Sequence, residues 1–303
     1  MKKILLICAA IAVTLTSAFA ETEPSSKLFR TDYTYSDFTS LAVSSAFQVE
    51  LTFADSYSVE VEVPEFLEPY LKVKCLSGKL SIGLTNIPRD IQKKLNDKHD
   101  ELHAWVTMPT LRTLDMSGAT RLTAIGVPKL TANDPLTIIL SGASTLKSLE
   151  ASSEDRLKID MSGASKADIT ANFRTLDIEV SGASRLKFEG DADKTSVDCS
   201  GASTCDLTGN YGSMKAEISG ASKLNVDGDV QTLDADASGS SKFEVEGVTA
   251  KADVELSGVS KATLTVTERM QYELSGVSTL KIRDKGAVVR GEISRGSKIE
   301  YLK

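Results

Sequence analysis

The sequence predicts an all-β protein that folds as a single-stranded parallel β-helix, or β-solenoid, with about 19 residues per coil. Two observations carry this prediction. Ser-Gly pairs recur at nearly constant spacing over the second part of the chain, and apolar residues alternate with polar ones on both sides of each pair. Strict alternation indicates strands with one buried face. We expect a right-handed coil, because parallel crossovers are overwhelmingly right-handed.

The first twenty residues have the order of a secretory signal peptide. Lys2 and Lys3 precede an apolar run from Ile4 to Val13, and Ala18-Phe19-Ala20 provides a small-x-small cleavage site. The run is too short to span a membrane. Cys8 lies too close to the start of the chain for a lipoprotein signal. We therefore predict that residues 1–20 are removed and that the mature protein is exported.

Charge and cysteine content narrow the function classes. The formal net charge of −7 argues against a nucleic-acid partner, because such proteins carry a basic patch or stripe. After the signal peptide no apolar segment reaches the length of a membrane span, so we predict no transmembrane segment. Three further cysteines remain, and Cys199 and Cys205 are the only close pair. In an exported protein this pair either forms a disulfide or remains as buried thiols.

Residues 21–110 are rich in strand-forming patterns but lack the regular period. The segment from Leu41 to Leu51 follows the repeat template, with Ser-Ser-Ala-Phe at the corner. The charged segment from Pro88 to Leu102 predicts either a short helix or a mobile insertion. We assign residues 21–110 to irregular first coils and a cap, because the ends of a solenoid need protected edges.

Residues 111–303 form the regular part of the predicted solenoid. Successive Ser-Gly pairs are 24, 21, 19, 19, 19, 19, 19 and 18 residues apart, and a degenerate copy, Ser294-Arg295-Gly296-Ser297, follows 19 residues later. The pairs begin at Ser117, Ser141, Ser162, Ser181, Ser200, Ser219, Ser238, Ser257 and Ser275. A period in this range is the signature of a repeat architecture in which each unit buries its apolar face against its neighbours.

Each position of the repeat has an assignable structural role. Residues five, three and one before the serine are apolar, and so are those five and seven after it, which predicts two short strands per coil. The Ser-Gly-Ala-Ser unit between them predicts a corner, since glycine tolerates positive φ and close backbone approach. Its serines are many and equivalent, which favours stacked hydrogen bonding over catalysis. A second glycine nine residues after the serine, as in Gly190 and Gly209, predicts the return turn.

Two columns of charge flank the corner. The position two before the serine is acidic in nine of ten copies, with Ile139 as the exception; the predicted binding row within it is Asp160, Glu179, Asp198, Glu217, Asp236 and Glu255. The position four after the serine is basic at Arg121, Lys166, Arg185, Lys223, Lys242, Lys261 and Lys298. Stacked like charges repel, so we expect the basic row to compensate the acidic row across the corner. The alternative is that the acidic row binds divalent cations or a basic partner.

The chain resembles a known family. A strand-rich opening, then Pro109-Thr110-Leu111, then repeated units that end in Ser-Gly-Ala-Ser are similar to the putative auto-transporter adhesin head GIN domain family of exported proteins, frequent in Bacteroidetes. The resemblance implies a β-helical fold and an adhesin or cell-surface role, in the periplasm or at the cell surface or outer envelope of a diderm bacterium. It implies no catalytic residues. Because the repeats run to Tyr301, we do not expect self-export through a translocator.

No residue pattern predicts catalysis, a metal site or a cofactor. The two histidines, His99 and His103, are spaced to share a metal on a helix, but Asp100 stands where a zinc protease has glutamate. Alternation from Leu102 onward instead favours a strand that turns His103 to solvent. A polysaccharide-cleaving β-helix would need long loops that wall a groove. The regular coils have short turns and few aromatic residues.

We therefore expect a non-enzymatic exported solenoid that serves as an adhesin or cell-envelope interaction module. The partner would be a surface glycan or a protein. One alternative is a glycan- or cation-binding module that uses the acidic column or the aromatic-rich N-terminal part, which contains Trp105. The other is a polysaccharide-acting enzyme. The last coil, which ends near Ile299 and Tyr301, offers an open edge through which the protein would form a homo-oligomer.

Overall fold

A computed structural model describes residues 27–98 and 101–302. The predicted signal peptide, residues 1–20, and the position of His99 lie outside the described residues. Within the described residues the chain forms one 23-stranded sheet wound into a β-solenoid of about nine turns, with about 19 residues per turn. The predicted fold class is confirmed.

The strands are as follows: β1 Leu28–Tyr33, β2 Ser40–Val43, β3 Phe47–Phe53, β4 Ser58–Pro64, β5 Leu71–Leu76, β6 Lys79–Leu84, β7 Leu102–Met108, β8 Thr113–Met116, β9 Arg121–Ile125, β10 Leu136–Leu140, β11 Thr145–Met161, β12 Lys166–Val180, β13 Arg185–Glu189, β14 Ala192–Cys199, β15 Thr204–Thr208, β16 Tyr211–Ile218, β17 Lys223–Asp227, β18 Val230–Ala237, β19 Lys242–Leu256, β20 Lys261–Leu274, β21 Thr279–Asp284, β22 Val288–Ile293 and β23 Lys298–Tyr301. A 3₁₀ helix spans Glu65–Tyr70 and one α-helix, α1, spans Arg89–Lys98. For the charged segment after Pro88, the helical alternative is the one the structure shows.

A regular coil consists of a short strand, a turn and a longer returning strand. In β13, Leu186 and Phe188 point into the core and their neighbours are exposed. The returning strand β14 keeps this alternation except at Asp193 and Lys194, two consecutive exposed residues where the chain bends. The apolar positions predicted from the repeat are therefore the ones that fill the core.

Successive coils pair in parallel and in register. Leu186 lies between Ala167 of the preceding coil and Cys205 of the following one, each 19 residues away. The 18-residue repeat between Ser257 and Ser275 is absorbed by register shifts at the return turn of β19 and β20. The corner and the strand that leads into it stay aligned, so equivalent side chains form continuous rows along the solenoid.

The glycine of each corner has the backbone conformation that the repeat predicts. Gly220 has a φ of 72°, and a Cβ added to it would lie 2.5 Å from the carbonyl oxygen of Gly201 in the coil before. The next residue, Ala221, donates its N–H to that same oxygen at 2.8 Å. A side chain at the glycine would therefore interrupt a backbone hydrogen bond that links two coils.

The last serine of each corner points into the solenoid. These residues are at most 2% exposed: Ser144, Ser165, Ser184, Ser203, Ser222, Ser241, Ser260 and Ser278. The hydroxyls of Ser144 and Ser165 donate to the carbonyl oxygen three residues earlier at 2.7 and 2.8 Å. The Oγ atoms of Ser203 and Ser222 are 3.3 Å apart in adjacent coils. These contacts confirm the predicted hydrogen bonding inside those corners, whereas the buried hydroxyls of Ser241 and Ser260 have no hydrogen-bond partner among the described residues.

The return turn carries a second ladder, made of Asn and Asp side chains. The Oδ1 atom of Asn172 accepts the backbone N–H of Asp191 at 2.9 Å, and Asp191 accepts that of Asn210 at 2.7 Å. The ladder continues into the next two coils, where Asn210 Oδ1 accepts the backbone N–H of Asp229 at 3.2 Å and Asp229 Oδ1 accepts that of Val248 at 2.7 Å. Each side chain satisfies a donor of the following coil, which stabilises the turn without any inserted loop.

At the N-terminal end the order of the strands in space departs from their order in the sequence. The coil of β2 and β3 pairs on one side with β8 and β9 and on the other with β6 and β7, all in parallel. Antiparallel strands follow: β5 pairs with β6, β4 pairs with β7, and β1 pairs with β4.

At the opposite end, the core side chains of the last coil are partly open to solvent. Ile293 and Tyr301, which continue the core rows of Leu274 and Ile282, are 47% and 63% exposed. Ile299, which continues the row of Leu280, is half-buried. Homo-oligomer formation through this coil remains a prediction.

Cys199 and Cys205 form a disulfide inside the core. Cys199 is the last residue before the corner that begins at Ser200, and Cys205 is the first core residue after that corner. Both side chains are fully buried. In the next coil Ile218 and Leu224 occupy the same two positions. Of the two alternatives that the sequence left open, the structure therefore shows the disulfide.

The core assignment predicts opposite effects for two adjacent residues. Leu186→Asp buries an unpaired charge and should lower the free energy of unfolding by about 4 kcal/mol or more. Lys187→Asp changes an exposed residue and should alter it by about 0.5 kcal/mol or less. Urea unfolding followed by circular dichroism measures both; equal effects would contradict the alternation.

The corner predicts a similar contrast. Gly220→Ala should cost about 2–4 kcal/mol, because it forces an L-residue to positive φ and places Cβ against the Gly201 carbonyl oxygen. Ala221→Ser is the matched control, since the next coil already has Ser240 in this position. Thermal unfolding should separate the two variants. A Gly220→Ala protein as stable as the control would show that the corner is not so closely stacked.

Candidate functional site

The predicted binding row is a continuous ladder on one face of the solenoid. Strand pairing places eight carboxylates directly opposite one another in successive coils, in the order Asp160, Glu179, Asp198, Glu217, Asp236, Glu255, Glu273 and Glu292. We call these eight residues the acidic row. The structure therefore brings together all six residues predicted from the sequence, at the spacing of about 4.8 Å that separates adjacent strands.

The charge compensation predicted from the sequence is wrong. Among the described residues, no ion pair within 4.0 Å joins the acidic row to the basic row beyond the corner. Two of its carboxylates instead form ion pairs with lysines on their own face. Glu179 pairs with Lys158 at 2.9 Å, and Glu217 pairs with Lys215 at 2.7 Å. These bonds raise the pKa of both lysines.

The reason lies in the corner itself. The exposed Gly-Ala pair of each corner lies between the outward side chains of the strand before it and those of the strand after it. Lys242 and Lys298 of the basic row therefore pair along their own strands, with Glu244 and Glu300. The second bond, together with one from Lys281, lowers the pKa of Glu300 to about 2.

The C-terminal half of the acidic face carries carboxylates that form no ion pair within 4.0 Å among the described residues. Asp234 and Asp253 are opposite one another on this face, beside Asp236 and Glu255 of the acidic row. Repulsion from Glu273, with smaller contributions from desolvation and from those three aspartates, raises the pKa of Glu255. Asp198 also has a raised pKa, caused first by desolvation and then by Glu217 and Glu179.

A shallow groove of about 390 Å³ lies along the end of this row. Its lining includes Asp236, Glu255, Glu273 and Glu292, together with Ser257 and other corner residues. In the described part of the chain, no three His, Cys, Asp or Glu side chains are placed to hold a metal ion. The groove therefore offers negative charge to a partner without a built coordination site.

A second groove lies near the N-terminal end, and sequence reasoning did not identify it. It has a volume of about 300 Å³ and is lined by residues of four strands, among them Trp105, Glu50, Arg121 and Lys147. Trp105 is half-buried on the outer surface of β7. The sequence does indicate that Trp105 occupies an outward position of an alternating strand. The other residues of the groove come from distant segments of the chain, so the sequence does not predict that they lie beside it.

Repulsion within the acidic row predicts a stabilising substitution. Glu255→Gln should raise the free energy of unfolding at neutral pH by about 0.2–1 kcal/mol, the range of cross-strand pair effects. Because the pKa of Glu255 is raised in the folded protein, this gain should shrink as the pH falls through that pKa and Glu255 takes up a proton. Urea unfolding over a pH series measures it.

Glu246→Gln provides the control, since it removes the same charge from an exposed position outside the acidic row. The advantage of Glu255→Gln over this control should also diminish in high salt, which screens exposed charges. A destabilised Glu255→Gln protein would mean that the carboxylate is held by a partner group, contrary to the repulsion described above.

A family model described as "Putative auto-transporter adhesin, head GIN domain" matches residues 37–210 and, in a second match, residues 193–286. No curated protein matches the chain significantly. None of the helices in the described residues is long and apolar enough to cross a membrane.

Solved structures from two Parabacteroides species are similar to the chain. A putative adhesin from Parabacteroides distasonis is 16% identical, with 91% of this chain and 98% of that chain covered and a TM-score of 0.49. A putative adhesin from Parabacteroides merdae is 14% identical, with 91% and 97% covered and a TM-score of 0.43. A putative lipid binding protein from Parabacteroides distasonis is 15% identical, with 91% and 97% covered and a TM-score of 0.42.

Proposed function

Because the chain belongs to the family described as putative auto-transporter adhesin, head GIN domain, we propose that it is an exported, non-enzymatic adhesin of the cell envelope. It would bind a surface glycan or a protein through the outer faces of the solenoid. The solenoid would serve as a rigid support that holds these faces in fixed positions.

The observation that supports this proposal is the regularity of the coils. From Ser162 to Ser294 each corner follows the previous one after 18 or 19 residues, so no loop rises to wall a catalytic cleft. The outer faces carry ordered rows of charge. Complementary charge of this kind steers encounter and selects partners.

The two faces would select different partners. The acidic row would attract a basic partner, most strongly near Asp236 and Glu255, which form no ion pair among the described residues and have two further aspartates beside them. The face beyond the corner carries the basic row and would attract anionic groups. Both assignments are proposals that a single adhesion assay can test with neutralised variants.

The proposal is tested by adhesion of protein-coated beads. Beads that carry the purified protein should be retained under flow on at least one surface in a panel of immobilised bacterial polysaccharides, mucin and matrix proteins. Free protein should compete, and albumin-coated beads provide the control. The variant with Asp236→Asn and Glu255→Gln should lose retention on basic surfaces.

Two results would contradict the proposal. Retention that free protein does not reduce on any surface would remove the adhesin function. Release of new reducing ends or unsaturated sugars from a polysaccharide in the same panel would favour the enzyme alternative. Retention should fall with added salt if the charged rows mediate it.

A further inference from the structure

The groove beside Trp105 lies where two outward rows of side chains cross the N-terminal coils. Strands β1, β4, β7, β3, β9 and β11 are neighbours in that order. One row runs through Trp105, Glu50, Thr123 and Lys147, and the adjacent row through His103, Gln48 and Arg121. These seven residues are all among those that line the groove.

Trp105 forms one end of the groove, and its position is supported from behind. The Arg30 guanidinium carbon lies 4.9 Å from the centroid of the Trp105 ring, and Arg30 belongs to β1, on the side away from the groove. Arg30 is itself held by ion pairs to Glu60 and Glu62. The His103 ring lies nearly parallel to the indole, with the two centroids 5.6 Å apart. The tryptophan is therefore fixed in position at this end of the groove.

Two cations form the other end. Arg121 and Lys147 are exposed, and neither has a carboxylate within 4.0 Å among the described residues. Lys147 lies three strands from Trp105, which corresponds to roughly 14 Å between their Cα atoms. Glu50, Gln48 and Thr123 lie between the two ends and offer hydrogen-bond donors and acceptors.

The backbone is irregular beside Lys147. The pairing of β11 with β12 shifts register between Leu146 and Leu149, and Ser148 in this bulge has a positive φ of 56°. Bulges often redirect side chains beside functional sites. The irregularity lies next to one of the two unpaired cations of the groove.

We infer that this groove binds a carboxylated sugar residue of an anionic glycan. The indole offers a flat apolar surface for the less polar face of a sugar ring. Arg121 and Lys147 would bind the carboxylate through charge-assisted hydrogen bonds, while Gln48 and Glu50 would contact ring hydroxyls. The volume of about 300 Å³ is at the lower end of the range for small-ligand sites, which suits one sugar unit of a longer chain.

This inference rests on the proposed adhesin function, since it names one class of partner and the surface that contacts it. The basic row continues from Arg121 along the same face through Lys166 and Arg185, with Thr145 between them. A polyanionic chain anchored at Trp105 would extend along this row. The acidic row lies beyond the corner and would repel it.

Trp105 provides a direct readout, because it is the only tryptophan in the chain. We would titrate the folded protein with an oligogalacturonate and with 3′-sialyllactose while recording its fluorescence. The matched neutral ligands are the carboxyl-reduced oligogalacturonate and lactose. At least one carboxylated probe should give a saturable change in fluorescence, with its neutral counterpart at least about tenfold weaker.

Variants assign the signal to the groove. Arg121→Gln and Lys147→Gln should each weaken the binding of the carboxylated probe about tenfold or more. Lys194→Gln removes the same charge from an exposed position on β14, outside the groove, and should change affinity less than about twofold. Circular dichroism and thermal unfolding should show all three variants folded.

The two proposals fail in different ways. If no probe changes the fluorescence or releases heat in calorimetry, or if the variants bind as tightly as Lys194→Gln, the groove does not bind a carboxylated sugar. The beads would then still adhere if the adhesin function is correct. Beads that adhere nowhere would remove the adhesin function, even if a small saccharide still binds at Trp105.

Discussion

The close stacking of the glycine corners is the constraint on which the rest of the structure depends. At each corner the carbonyl oxygen of one coil's glycine accepts an N–H from the next coil and also occupies the space where a Cβ would lie. This contact fixes the distance between coils and their register. Because register repeats from coil to coil, a residue type placed at one position of the repeat is found against its own kind along the whole solenoid.

Stacking like on like has different consequences for different side chains. Buried leucines and valines gain contacts, and the ladder from Asn172 to Asp229 gains hydrogen bonds, because each side-chain oxygen meets a backbone donor of the next coil. Carboxylates have no donor of their own to offer and repel one another. Where no lysine pairs with the row, this repulsion opposes folding, and it raises the pKa of Glu255. Unpaired carboxylates on an outer face do not help the protein to fold. Their presence is therefore better explained by contacts with a partner molecule than by contacts inside the solenoid.

The repeat was sufficient to predict the coil, its corners and the residues of the acidic row. Each of these features depends on the spacing of residues within one repeat. Because the coils stack in register, the same feature then recurs in every coil. The compensation of that row could not be predicted this way, because it depends on which direction each strand faces across a corner. Sequence order was also misleading at the N-terminal end, where β6 and β7 stack outside β2 and β3. The Trp105 groove combines residues from positions 48 to 147 and depends on that rearrangement.

Equal coil length also bears on how such a protein can change. Removing or duplicating one complete 19-residue unit between corners would leave every row aligned, whereas a gain or loss of one residue within a strand would turn its buried side chains to solvent. Loss or gain of a whole repeat would therefore produce shorter or longer proteins whose rows still align. The length of the rod, and with it the number of charges presented along each face, can vary without any change in the chemistry of a single coil. The groove at the N-terminal end would be carried unchanged at the tip of each such variant.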